Sequence, residues 1–193
     1  MFFAFMSRLR FIERWSTMRK TRRENVLEHT AQVAMLVHAL ALLGNERHGK
    51  TYDPSKLATY ALYHDADEVL TGDLPTPVKY HNPQMREVYA LIETDARARL
   101  LKMLPEDLQG HYKPLISSHL NQDEAKLLKA ADRLTAYLKC LEERSLGNGD
   151  FSSAEREIRT SLQDLELPEV EDFLDTFAEA FTLNLDELSR QEG

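Results

Sequence analysis

The chain has one cysteine in 193 residues, one tryptophan, seven glycines and seven prolines, and aromatic residues make up only 8% of it. A lone thiol, Cys140, closes no internal disulfide. Between Leu138 and Leu141 in an apolar helical pattern it reads as reduced and buried, which points to the cytoplasm. Little glycine and proline, without repeats or low-complexity tracts, excludes collagenous and disordered classes. No run approaches the ~20 apolar residues of a membrane span, and the mean hydropathy of −0.46 agrees. The opening Met1 to Met6 puts its apolar residues ahead of the first arginine, the reverse of a signal peptide, and reads as the first turn of a core helix. No stretch alternates apolar and polar residues between hairpin turns. What remains, with 42% hydrophobic residues, is enough for one all-α domain spanning residues 1–193.

Charge is plentiful but uneven. The net charge of −8 argues against general nucleic-acid binding. Yet residues 1–24 carry seven basic groups (Arg8, Arg10, Arg14, Arg19, Lys20, Arg22, Arg23) against Glu13 and Glu24, while residues 150–193 carry thirteen acids against three arginines. Local positive potential suits a small anionic ligand better than a duplex, which wants an extended basic face. On charge alone, a helix with a solvated basic side fits as well.

Helical periodicity runs through most of the chain. A stripe of Val26, His29, Val33, Leu36, Val37 and Leu40 predicts a helix from about Val26 to Leu43, ending near Gly44-Asn45. Asp53-Pro54 is an N-cap followed by a first-turn proline, and the helix it opens is expected to run to about Glu68. Thr71-Gly72-Asp73-Leu74-Pro75-Thr76-Pro77 reads as a stiff loop that no helix crosses. Further helices are expected over about 83–103, 105–117 and 122–144, with two more in the acidic C-terminal third.

Four residues are at odds with their surroundings: His29 on an apolar stripe, His64 and Asp65 together in a largely apolar helix, and Asp132 interrupting Leu127 to Leu134. An ionised carboxylate buried there needs a cation. Arg133 is a poor partner for Asp132 because neighbouring helical residues point ~100° apart. Two imidazoles and two carboxylates drawn from three helices make a mixed nitrogen and oxygen set for one first-row divalent ion with open positions. Each residue alone has a plainer explanation, a hydrogen-bonded core histidine or a solvated aspartate; the ordered set favours the metal.

That ordered set is the signature of the HD-domain phosphohydrolases, which the chain resembles, and the resemblance is closer to the bacterial 5′-deoxynucleotidases of the YfbR type. It is carried by Ser7-Arg8-Leu9, Glu13-Arg14-Trp15, Glu24-Asn25-Val26 with Glu28-His29, the block from Tyr63 to Tyr80, Lys129-Ala130-Ala131-Asp132 and Ala136 to Glu143. The block from Tyr63 to Tyr80 is the most specific, since many phosphodiesterases and triphosphohydrolases share the metal set.

The resemblance implies an HD-domain helical bundle, a homodimer, and hydrolysis of 2′-deoxyribonucleoside 5′-monophosphates to nucleoside and phosphate by a metal-activated water. It implies one divalent ion, Co2+, Mn2+ or similar, on His29, His64, Asp65 and Asp132, with His29 and Asp132 also facing substrate. Arg14 would orient the phosphate and Trp15 would exclude a 2′-hydroxyl, with Asp73, Leu74, Pro75 and Thr76 touching substrate from the stiff loop. Glu68, four residues after His64 in the expected helix, would share its face and act on the attacking water or the leaving 5′ oxygen. Each has a plainer reading beside it: Glu68 as an exposed helix-end glutamate, Trp15 as a core indole, and Lys79, which could add positive potential, as a solvated ammonium. His38, His48, His81, His111 and His119 are read as structural. A cyclic-nucleotide or nucleoside-triphosphate hydrolase, or a nucleotide sensor without turnover, would use the same fold.

Overall fold

Capping side chains set most of the long helices. In the computed structural model, which describes residues 1–79 and 81–190 without the side chains of Thr76 and Pro77, Asn25 and Glu28 form a reciprocal capping box that opens α2 (Val26–His48). Asn121 and Glu124 do the same for α8 (Gln122–Ser145). Asp53 accepts from the Lys56 N–H and Pro54 begins α3 (Pro54–Ala61), while Asn82 caps α6 (Pro83–Leu101). Before these lie α1 (Phe2–Met6) and a 3-10 turn over Ser7–Phe11. Between and after them come α4 (Glu68–Thr71), α5 (Thr76–Lys79), α7 (Glu106–Ile116), α9 (Ser152–Gln163), α10 (Pro168–Phe177) and α11 (Leu185–Arg190). No strand occurs among the described residues, only an isolated bridge between Glu13 and Asn25.

The bundle is built around α2, which packs on α3, α8 and α10, with α9 against α8. Val33, Val37, Leu40, Leu57, Leu127, Leu134, Leu162 and Phe173 interlock in the larger core, each fully buried apolar side chain contributing about 1.5–3 kcal/mol. A smaller core gathers Phe2, Ala66, Leu100, Leu104 and Ile116, with Tyr63 and Tyr112 packed on it. The expected N-terminal core turn is therefore present. Phe177 lies against core Phe173 with the two rings tilted and 5.0 Å apart.

Several expectations need correction. α2 does not stop at Gly44, because that glycine is there for packing: a Cβ on it would sit 3.0 Å from the Tyr52 ring. Gly49, at φ 61°, ends the helix instead. By length and composition α2 is also apolar enough to cross a membrane, contrary to the reading above; here its apolar face is the core of the bundle. α3 ends at Ala61 rather than near Glu68, and residues 62–67 form successive turns. The turns seat Ala61 in the larger core and Ala66, with Tyr63 packed beside it, in the smaller one. A short helix does begin within the stiff loop, at Thr76, because Pro77 falls in its first turn, where a missing N–H costs nothing. Among the described residues the acidic C-terminal third holds three α-helices and two 3-10 turns, Gly149–Phe151 and Ala178–Thr182, rather than two helices.

Candidate functional site

The turns at 62–67 place His64 and Asp65 at the seam of the two cores, facing His29 on α2 and Asp132 on α8. His29 is fully buried. Its Nδ1 lies 3.1 Å from Thr135 Oγ1, and that hydroxyl donates to the Asp132 carbonyl at 2.7 Å. With its own hydrogen committed, Thr135 accepts, so Nδ1 carries the proton and Nε2 presents a lone pair. His64 Nδ1 sits 2.6 Å from the Ala61 carbonyl, which can only accept, and the same tautomer follows. Burial, reinforced by Arg14, lowers the His29 pKa and keeps it neutral.

Both Nε2 atoms are buried without a hydrogen bond among the described residues. Yet His29 Nε2 lies 3.0 Å from Asp132 Oδ1 and 3.5 Å from Asp65 Oδ2, and His64 Nε2 lies 3.1 Å from Asp65 Oδ2. Lone pairs crowded on lone pairs repel unless a cation, or a proton on one of them, lies between. Burial opposes a charge on His64, but Asp65 and then Asp132 outweigh it and hold the ring up to about 9. Positive charge is what this cluster attracts. Ligand atoms of His29, His64 and Asp132 all fall within 4.8 Å of one another, and Asp65 borders them through its contacts with both imidazoles. The residues fit a divalent ion with mixed nitrogen and oxygen ligands.

Beyond this set, Glu68 begins α4 rather than continuing the helix of His64, so the expected i, i+4 face is absent. The turns nonetheless bring it to the site. Its Oε2 is buried without a partner, and burial, with Asp65 and Asp73 adding repulsion, pushes its carboxyl up to about 10. It is not an exposed helix-end glutamate. Asp73 follows Gly72, whose φ of 75° turns the chain out of α4; burial, opposed by Arg14, raises its pKa as well. Leu74 and Pro75 continue the same non-helical stretch, and the Thr76 side chain and Tyr80 lie outside the described residues. Asp67, which the sequence left unread, is buried and accepts from Arg97 Nε at 3.0 Å, tying the turns to α6.

Arg14 and Trp15 reach the site from a loop running from the 3-10 turn to α2. Burial opposes the charge of Arg14, but Asp132, Glu24, Asp65 and Asp73 outweigh it and raise the guanidinium pKa further. Arg14 Nε donates to Glu24 Oε1 at 3.0 Å and Trp15 Nε1 donates to Glu24 Oε2 at 3.1 Å. Trp15 has a left-handed backbone, φ 57°, which costs a bulky residue about 1–3 kcal/mol. Lys20 Nζ holds the carbonyls on either side of the turn, at 2.9 Å from Arg14 O and 3.3 Å from Trp15 O, and the indole packs on Phe151 at 5.3 Å. From α8, fully buried Glu143 accepts from the backbone N–H of Thr21 at 2.8 Å and from Asn148 at 2.8 Å, and pairs with Lys139 at 2.6 Å. Burial disfavours its charge, but these donors win and hold its pKa at about 2. Glu143 thus staples the far side of the loop.

All four expected metal residues are brought together, with Glu68, Asp73 and Arg14 around them. Asp132 is more open than its apolar neighbours implied: its side chain is 42% exposed, because it points out of the core into the site. Arg133, as expected, pairs elsewhere, donating to the Ser161 carbonyl at 2.7 Å. Lys79 is neither solvated nor a free charge: it meets Glu93 at 2.6 Å. His48, read as structural, contacts Asp172 at 2.8 Å. Glu24 and Glu143 were missed as parts of the site. Their signal was present, an acid inside a basic segment and an acid on the buried face of α8.

Residues 1–181 match the family described as 5′-deoxynucleotidase YfbR-like. The chain belongs to this family. Among its YfbR-like relatives, a 5′-deoxynucleotidase of Vibrio parahaemolyticus is 49% identical over 189 residues, covering 97% of both chains. 5′-Deoxynucleotidase YfbR of Escherichia coli O1:K1 is 48% identical over 190 residues, covering 98% of this chain and 96% of that one. In fold, this YfbR-like chain is similar to an HD-domain phosphohydrolase of Listeria innocua, with a TM-score of 0.80 at 23% identity over 98% of this chain and 95% of that one. It is also similar to the HD phosphohydrolase DatZ of cyanophage S-2L, solved with dA and one catalytic Zn2+, with a TM-score of 0.63 at 19% identity over 93% and 95% of the two chains.

Proposed function

We propose that this chain hydrolyses 2′-deoxyribonucleoside 5′-monophosphates to nucleoside and phosphate with the help of one divalent cation. The observation that carries the reading is the pair of buried, unbonded imidazole nitrogens set against Asp65 and Asp132. His29, His64, Asp65 and Asp132 would hold the ion. When bound, a divalent cation in such a site polarises a phosphoryl oxygen and acidifies water beside it.

The remaining tasks fall to side chains. With Nε occupied by Glu24, Arg14 keeps its Nη edge for two phosphate oxygens, the geometry in which guanidinium binds phosphate best. Trp15, fixed beside it, closes the space a 2′-hydroxyl would need. Glu68 moves the proton, and Asp73, Leu74, Pro75 and Thr76 line the substrate's approach on a stretch whose prolines limit the entropy lost on binding. A homodimer, expected of the family, has an apolar surface to use in Val88, Leu91 and Ile92 on α6, which are 52%, 68% and 47% exposed; sedimentation at micromolar protein reads its mass. Cys140, buried and with its thiol pushed up to about 12 by burial, suits a reducing cytoplasm.

The test is phosphate release from the four deoxyribonucleoside 5′-monophosphates and their ribose counterparts, with chelated enzyme re-supplied with one ion at a time. Turnover should vanish on chelation, return with a divalent ion and favour deoxyribose. Trp15→Ala should shrink the deoxyribose to ribose ratio of kcat/KM by about tenfold, the scale on which a pocket rejects one extra group. An unchanged ratio refutes the steric role, and pyrophosphate or ring-opened cyclic nucleotide as the preferred product refutes the reaction.

A further inference from the structure

We propose that Glu24 is a positioning residue that locks Arg14 and Trp15 into a single unit, so that one carboxylate sets both the pose of the phosphate and the exclusion of a 2′-hydroxyl. The inference rests on the roles given above to Arg14 and Trp15, and its test separates the two. In an extended segment neighbouring side chains point to opposite faces and could not share one acceptor. The left-handed turn at Trp15 removes that obstacle, and Glu24 then takes Arg14 Nε on one oxygen and Trp15 Nε1 on the other. Neither donor has a choice: an indole N–H is a single donor, and binding Nε fixes the plane in which the guanidinium offers its Nη groups.

Glu24 is itself held in place. Its backbone carbonyl accepts from the Arg14 N–H at 3.0 Å, and Val26 N donates to Ile12 O at 3.0 Å, closing the loop at its base. The next residue, Asn25, is the N-cap of α2, and Glu24 Oε1 stands 3.7 Å from His29 Nδ1. The carboxylate therefore sits between the helix that supplies His29 and the loop that handles substrate. Its side chain is only 11% exposed, so both bonds are shielded from competing water.

Glu24→Gln keeps the shape but turns an amide N–H toward one of the two donors. Because Trp15 is the only tryptophan, its emission reports this bond directly, without turnover. In metal-free Glu24→Gln the emission should shift to the red and acrylamide quenching should rise. With metal restored, the deoxyribose to ribose ratio should fall by about tenfold or more and kcat for deoxyribonucleotides by a similar factor, the value of a charge-assisted hydrogen bond. Metal content should stay stoichiometric, which a general collapse of the site would not allow. Trp15→Phe, which keeps a ring but deletes the N–H, is the second handle should Glu24→Gln fold poorly. It should lower the ratio with little loss of kcat, and adding Glu24→Gln to it should then cost kcat while leaving the ratio nearly unmoved. If Glu24→Gln keeps the wild-type ratio, kcat and emission while Trp15→Ala and Arg14→Ala change theirs, the inference is overturned and the underlying roles stand. Wild-type behaviour in Trp15→Ala and Arg14→Ala removes those roles and the inference with them.

Discussion

Asp132→Ala is expected to purify without a tightly held divalent ion and to release no phosphate above background, while melting within a few degrees of the wild type. The fold should tolerate the change because the side chain is 42% exposed and leaves the core for the site, and alanine is the best helix former for the middle of α8. The ion should not tolerate it. Asp132 Oδ1 lies 3.0 Å from His29 Nε2, and Asp132 offers a ligand atom within 4.8 Å of those of His29 and His64. Loss of a supporting partner alone costs a metal site about 10–100-fold in affinity; loss of a charged ligand should exceed that. Metal analysis after dialysis, beside a phosphate assay and a thermal melt, checks all three parts. Stoichiometric metal in this variant would mean that the ligand set is wrong.

The sequence exposed the site better than it exposed the local backbone that builds it. His29, His64, Asp65 and Asp132 stood out because polar groups in apolar stripes need a reason, and the structure gathers all four. The helix expected to carry His64 and Glu68 together was wrong because periodicity registers burial, not continuity. Residues 62–67 have the apolar content of a helix, yet the chain breaks into turns there as it passes from Ala61 in the larger core to Ala66 in the smaller. Gly44 misled for a related reason: a glycine can mark a helix end or a close approach, and only the Tyr52 ring beside it tells which. Glu24 and Glu143 stood out as acids in a basic segment and on a buried helix face, but their roles could not be read, because their partners are contacts of the folded chain. The backbone of Thr21 lies 122 residues from Glu143, and no local pattern encodes it. The left-handed backbone at Trp15 was likewise invisible, since nothing about tryptophan favours it.

Those missed residues show how the molecule divides its labour. In the proposed ligand set, His29 and Asp132 are anchored in the core through α2 and α8, where packing fixes them. Arg14 and Trp15, proposed to handle substrate, lie on a strained loop that hydrogen bonds must hold, from Glu24 and Lys20 on one side and Glu143 on the other. Metal affinity and substrate selectivity should therefore respond to different mutations, as the contrast between Asp132 and Glu24 already requires.

Glu68→Gln should keep metal and substrate binding and lose turnover by about 10²–10⁴-fold, the usual contribution of a positioned proton-transfer group. Glutamine has the same size and fits the same half-buried place at the head of α4. What it lacks is a proton that can be exchanged. The wild-type carboxyl is unusual in having a buried oxygen with no partner and a pKa pushed up to about 10 by burial and by Asp65 and Asp73. Nothing among the described residues satisfies that oxygen, so removing its acidity should cost little stability, and binding of a deoxyribonucleoside monophosphate by calorimetry should stay within a few-fold of the wild type. The leaving group separates its two possible tasks. An aryl phosphate expels a phenolate that needs no proton, so if Glu68 protonates the 5′ oxygen the variant should recover most of its rate on that substrate. If Glu68 orients or deprotonates the water, the loss should be the same on both. Wild-type turnover of deoxyribonucleotides by the glutamine variant would take Glu68 out of the reaction altogether.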